Sequence, residues 1–274
     1  MRESTKFQFL MLLCFIGIIV VSATSAYSQN SMGAKMVSMG QAGVALPDSE
    51  WALFSNSALL PTKRNNVSFY RFRYVGISEI TDLAAVLNLQ TRFGTAGFAV
   101  HQYGFNLFSE NRLMIGFKRS FGSFHAGVSA GYYHVTQGGD YGSAGAFGLD
   151  IGVAAELVDG LWIGARATNV NYPSYGTSDE VLPRDLSVGF SYQLAESTLL
   201  SIEALKDVMF PLSLRSGIQI ELISSLFARA GFTSNPETYS LGFGYAPDRW
   251  SVNFGVQQHN PLGLSPALDL GITF

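Results

Sequence analysis

The sequence predicts an all-β protein, a 14-stranded antiparallel transmembrane β-barrel with a short N-terminal plug, or hatch, inside its lumen. Three observations lead there. The one long apolar run lies at the N-terminus and has no successor. Past Asn65 the chain divides into segments of about ten residues in which apolar and small polar residues alternate. The connections between those segments are short and long in turn.

Residues 1–28 read as an export signal. Arg2 and Lys6 precede the apolar run "FQFLMLLCFIGIIVV", and small and polar residues follow, so a cut after Ser28 fits. An uncleaved anchor would need roughly 20 apolar residues, and this run has about 15. Cys14, the single cysteine, lies within the run, so residues 29–274 hold no thiol for a disulfide or a metal. Charged residues are 14% of the chain, against roughly 25% in an average soluble domain. The net charge of −3 gives no footprint for nucleic acid. An exported chain with few charges, many aromatics and no second apolar helix has one way to span a membrane, a closed barrel.

The expected strands are 66–74, 82–90, 95–102, 111–121, 124–135, 146–157, 161–170, 185–193, 198–207, 213–221, 226–232, 238–245, 250–259 and 267–274. Trp250, Val252, Phe254 and Val256, for example, alternate with Ser251, Asn253, Gly255 and Gln257. The polar face is mostly Gly, Ser and Asn with isolated charges. That suits a narrow lumen better than the Lys- and Glu-rich surface of a soluble sandwich. Taken alternately, one set of connections (91–94, 122–123, 158–160, 194–197, 222–225, 246–249) never exceeds four residues. The other set (75–81, 103–110, 136–145, 171–184, 208–212, 233–237, 260–266) runs from five to fourteen. Short periplasmic turns and longer outer loops are the rule for outer-membrane barrels. The chain also ends in strict alternation, "LDLGITF" (268–274), which requires the last strand to pair with the first.

Residues 29–65 lack barrel alternation and are too few for a core of their own. They are expected to fold into the lumen as the plug, leaving 66–274 as the barrel. The stretch "SMGQAGVALPDSEWALFSNSALL" (38–60) resembles the opening of the FadL/PorV superfamily of outer-membrane barrels. Gly40 and Gly43 match its small-residue turn, Asp48 and Glu50 its acidic pair, and Asn56-Ser57-Ala58 its Asn-Pro-Ala motif, with Ser57 in place of the proline. In length the chain is closest to the compact PorV/PorQ-like members. The resemblance implies fourteen strands, an N-terminal hatch and an outer-membrane location in a Gram-negative bacterium. It also implies one of two non-enzymatic roles. The first is binding or passing small hydrophobic compounds; the second is a component of type IX secretion that binds secreted proteins.

Candidate site residues follow. Trp51, Phe54, Leu59 and Leu60 are more apolar than a braced polar plug needs and are expected to line a small hydrophobic pocket or to pack the hatch. Alternation turns Lys118, Asp150, Glu156, Arg166, Glu203, Arg215, Glu221, Arg229 and Asp269 inward, to brace the plug or form a constriction. On the lipid side a mid-bilayer Arg would cost about 2–4 kcal/mol. Gly127-Val128-Ser129-Ala130-Gly131 matches G-x-S-x-G, but lies within a strand, where no nucleophile elbow forms. His101, His125, His134 and His259 lack metal-ligand spacing and read as structural. The glycine-rich 137–148 reads as an outer loop. No metal or cofactor is expected. The partners are outer-membrane lipid, a small hydrophobic ligand, or secreted or secretion-system proteins.

Overall fold

The computed structural model describes residues 31–74, 79–105, 107–138, 142–176, 181–259 and 263–274. The expected export signal and Cys14 lie outside these residues, as do parts of the connections between strands. Fourteen strands form the wall. They are β1 (Asn66–Arg73), β2 (Thr81–Thr91), β3 (Gly94–Phe105), β4 (Phe108–Phe121) and β5 (Phe124–Gln137). There follow β6 (Gly142–Val158), β7 (Leu161–Ala167), β8 (Asp185–Ala195), β9 (Thr198–Asp207) and β10 (Ser213–Ile223). The last are β11 (Leu226–Ser234), β12 (Glu237–Tyr245), β13 (Trp250–His259) and β14 (Gly263–Thr273).

Each strand pairs antiparallel with its sequence neighbours, and β14 returns to β1, with Asn66 opposite Thr273 and Phe72 opposite Ala267. The ring has no edge strand, so no ladder is left open to lipid. Pairing accounts for the alternating terminus: Leu268, Leu270 and Ile272 face outward, while Asp269 is 1% exposed and faces the lumen.

Several elements depart from the sequence reading. β3 runs on to Phe105 and β4 starts at Phe108, so most of the connection expected at 103–110 is ladder. β6 begins at Gly142, because the glycine-rich stretch continues the ladder with β5 up to Gln137 opposite Gly142. Most of the expected loop at 137–148 is therefore strand, and residues 139–141 lie outside the described residues. β14 likewise begins at Gly263, extending the ladder with β13 to His259. β7 is shorter than expected and ends at Ala167, because Asn169 takes a left-handed backbone conformation (φ 49°) and turns the chain over the lumen. There the Asn169 amide donates to Asp150 and the Thr168 amide to the Asp185 carbonyl. The following connection is therefore not a free outer loop. Its Leu182, 1% exposed, packs with Tyr133 and Ala146 over the barrel mouth.

Residues 31–60 occupy the lumen. They form two short helices, α1 (Ala34–Ser38) and α2 (Ala52–Ser55), and a 3-10 turn at Ser57–Leu59. Nearly all of them are buried. Glycines paired across neighbouring strands seat this segment. A side chain at Gly97 or Gly116 would meet Leu60 or Leu53, and one at Gly127 or Gly152 would meet the Asn56–Ala58 turn. Gly164 and Gly189 admit Val44, Gly217 and Gly231 admit Met39 and Gly40, and Gly242 with Gly255 admits α1. The hatch thus winds around the inside of the wall, its backbone lying where Cβ atoms are missing.

Candidate functional site

The plug meets the wall through two kinds of contact. Around β5–β14 the contact is a set of buried hydrogen bonds to plug backbone. Acids of the wall accept from plug amides: Asp269 from Ala34 at 2.6 Å, and Glu203 from Gly43 and Val44, each at 2.9 Å. Donors of the wall reach plug carbonyls. Arg166 bonds Phe54 at 2.6 Å, and Ser191, Ser201 and Thr233 bond Ala45, Ala42 and Gly40. Apart from the Gly43 amide, which also reaches the Gln41 carbonyl at 3.0 Å, each satisfies a plug group that would otherwise be buried without a partner, at a cost of about 1–3 kcal/mol.

Toward β1–β4 the contact is apolar. Trp51, Leu53 and Phe54 of the plug pack with inward-facing Tyr70, Phe72, Ala84, Val86, Ala99 and Met114 in one buried cluster. Trp51 lies edge-on to Tyr70, with ring centroids 5.6 Å apart. At its periplasmic end this seam closes in polar contacts. Asn88 donates to the Glu50 carbonyl, Ser68 to the Glu50 carboxylate, Thr95 to the Pro61 carbonyl, and Lys118 to the Leu60 carbonyl at 2.8 Å.

Of the charges expected in the lumen, seven are inward and buried: Lys118, Asp150, Arg166, Glu203, Arg215, Arg229 and Asp269. Arg215 faces Glu203 at 3.3 Å and Arg166 faces Asp185 at 2.9 Å. Arg229 does not reach the plug itself. It donates to Gln219 and Asn253, and Asn253 donates to Asp269, which holds the start of α1. Glu156 and Glu221 differ. They are partly exposed, stand beside bulges, and accept from the turn amides of Gly160 and Ser225. They brace periplasmic hairpins instead of the plug, because each bulge turns the strand end toward its own turn.

The plug motif residues have separate places. Gly40 (φ 62°) lies against the backbone of Phe232. Asp48 is exposed and accepts from the amide and hydroxyl of Thr62, whereas Glu50 accepts from Ser68 and Ser251 on the wall. The turn at Ser57 forms without proline. The Asn56 side chain accepts from the Ala58 amide and donates to the carbonyls of Val44 and Val153. Asn56 is thereby the fastener of the hatch to β6.

Trp51, Leu59 and Leu60 lie in close packing, whereas Phe54 also borders a cavity of about 110 Å³ on the outer side of the plug. Met32 and Phe54 form its floor, Tyr175, Leu182 and Pro183 its roof. Its sides carry His101, read as structural from the sequence, and three groups that went unnamed there, Glu110, Arg112 and Asp185. Arg112 lies over the rings of Tyr133 and Phe54, at 4.5 and 5.7 Å, and 3.6 Å from Asp150. His101 bonds Asp82 at 2.9 Å and meets Phe54 edge-on. Strand parity was the signal for these residues. Arg112 falls in register with Lys118, and Asp82 with Ala84 and Val86.

His125 bonds Ser120 and stacks on Trp162, and His134 stacks on Tyr132. Ser129 is buried in mid-strand and donates to Asp150 at 3.4 Å. No group of metal-binding side chains occurs among the described residues.

A closed barrel with an apolar outer face, tight turns at one end and an internal hatch is an outer-membrane β-barrel. Among solved structures, its fold matches the monoaromatic hydrocarbon channel CymD with TM-score 0.67 at 12% identity, covering 91% of this chain and 99% of that one. The Pseudomonas putida toluene transporter TodX matches with TM-score 0.67 at 13% identity, over 89% and 99%. A Pseudomonas aeruginosa FadL homologue matches with TM-score 0.58 at 10% identity, over 91% and 99%. At these identities the likeness is one of fold. No protein-family model and no curated protein matches the chain.

Proposed function

We propose that this barrel is a non-enzymatic outer-membrane protein that binds small hydrophobic compounds and passes them across the membrane. Residues 1–28 direct its export, 29–65 form the hatch and 66–274 the barrel. The observation that carries the reading is the asymmetry of the plug seam. Toward β5–β14, parting plug from wall would strand buried amides, carbonyls and charges. Toward β1–β4, plug and wall meet through Trp51, Phe54, Tyr70, Phe72, Val86 and Met114. An apolar solute can take the place of an apolar contact there without leaving a polar group unpaired, whereas a hydrated solute cannot. Phe54, floor of the outer cavity and member of the seam, is the point of entry. The polar contacts of Asn88, Thr95 and Lys118 are the exit that must yield. The hydrocarbon channels that share the fold support this reading. The secretion reading, with closeness to PorV/PorQ-like proteins, draws no support from them.

Uptake of radiolabelled toluene and of radiolabelled glucose by cells expressing the barrel tests the proposal. Toluene uptake should rise and glucose uptake should not, and Phe54→Trp, which fills the cavity, should abolish the rise. An equal rise for both solutes, or a rise indifferent to Phe54, would refute it.

A further inference from the structure

A groove of about 540 Å³ lies on the outer surface of the wall, across β14 and β1–β4. Its floor is Ala85, whose single methyl group stands opposite Phe69 on one side and Val100 on the other. The register row Leu270, Phe69, Ala85, Val100, Leu113 is thus apolar and dented at its centre. All but Ala85 are exposed large side chains that face the lipid.

Two residues further out the chemistry changes. The next row carries Arg71, Gln102 and Asn111, with Leu268 and Leu83 flanking Arg71. This is the side of the long connections, so the row lies toward the outer leaflet. Arg71 is exposed, and none of these three polar side chains makes a hydrogen bond or ion pair among the described residues. Arg73, the next outward side chain of β1, is likewise exposed and unpartnered among them. A lipid-facing arginine between two leucines is unfavourable unless an anion meets it. A guanidinium fork matches a phosphate in two parallel hydrogen bonds.

We propose that this groove is a binding site for a phosphate-bearing lipid of the outer leaflet, its acyl chain in the dent at Ala85 and its phosphate on Arg71. Gln102 and Asn111 supply further donors to the headgroup. A second copy of the chain fits less well. A two-fold contact sets the same patch against itself, which here would bring the Arg71–Arg73 face against its own like charge.

Native mass spectrometry of the barrel, released from nanodiscs of mixed phosphatidylglycerol and the phosphate-free monogalactosyldiacylglycerol, tests this. The wild type should retain one phosphatidylglycerol in preference to the galactolipid. Arg71→Gln should lower that preference by roughly tenfold to a hundredfold, the worth of one charged hydrogen-bonding partner. Arg71→Lys should fall between. Ala85→Leu, which fills the dent, should lose both lipids. Heat-modifiable gel migration verifies that each variant is a closed barrel, and both positions lie outside the plug-bearing lumen. Retention without headgroup preference, a preference unchanged in Arg71→Gln, or a lipid-free dimer would overturn the proposal.

Discussion

Glu203→Ala is the sharpest test of how the hatch is held. Glu203 is 3% exposed; one carboxylate oxygen accepts from the amides of Gly43 and Val44, each at 2.9 Å, and the other faces Arg215 at 3.3 Å. A hydrogen bond to a charged group contributes about 1.5–3 kcal/mol, so the two amide bonds come to about 3–6 kcal/mol before relaxation. Breaking a buried ion pair by removing one partner costs about 3–5 kcal/mol. These two figures describe overlapping losses and agree near 3–5 kcal/mol. At 1.36 kcal/mol per factor of ten, amide exchange at Val44 should accelerate by roughly two to three and a half orders of magnitude, and at Gly43, whose amide also reaches the Gln41 carbonyl, by less. Hydrogen–deuterium exchange in detergent micelles reads this directly, with the ladder amides of β9 and β10 as the internal control. Glu203→Gln, which keeps an acceptor, should show a smaller acceleration. Glu203→Leu combined with Arg215→Met should recover part of the loss, since no charge is then left buried alone. If Gly43 and Val44 stay as protected in Glu203→Ala as in the wild type while the barrel remains closed, the plug is not anchored by these bonds. The division of the seam into a bonded side and an apolar side would then be wrong.

Three further outcomes are expected. Asn56→Ala orphans the Val44 carbonyl and the Ala58 amide and should loosen the hatch by about 2–4 kcal/mol, seen as faster exchange across 53–60. Gly127→Ala would drive a methyl group into the backbone of Ser57 and Ala58. It should displace the turn, making Lys63 or Arg64 newly sensitive to trypsin, whereas Ala at Gly122, which has open space beside it, should not. Lys118→Ala removes the donor to the Leu60 carbonyl at the periplasmic end of the apolar seam. Toluene uptake should rise in that variant with glucose uptake unchanged, and a fall in toluene uptake would place the exit elsewhere.

Strand number and topology were legible in the sequence because barrel geometry is local. Side chains alternate with period two, and each hairpin needs only its own turn, so parity and connection length suffice from β1 to β14. The closing pair followed from the alternation of Leu268 to Phe274. Parity would also have placed Asp82, Arg112 and Asp185 inside. The weak signals were glycine-rich segments such as Gly142–Gly148, which carry no alternation although they pair fully with β5.

The site was less legible, because partners in the lumen meet across the barrel and have no period. Glu203 and Gly43, or Asp269 and Ala34, are separated by 160 and 235 residues. The apolar residues on both faces of β1 and β2, Phe69, Tyr70 and Phe72 with Leu83–Leu87, did hold a clue to where the plug turns its apolar side. Reading it required knowing that Trp51 and Phe54 lie against them. The sequence by itself determined a closed fourteen-stranded wall, since alternation and turn length act between neighbours. Only the tertiary structure decided which charges grip the hatch, which glycines seat it and which side of it meets the wall through apolar side chains, since those depend on how one segment of plug meets fourteen strands at once.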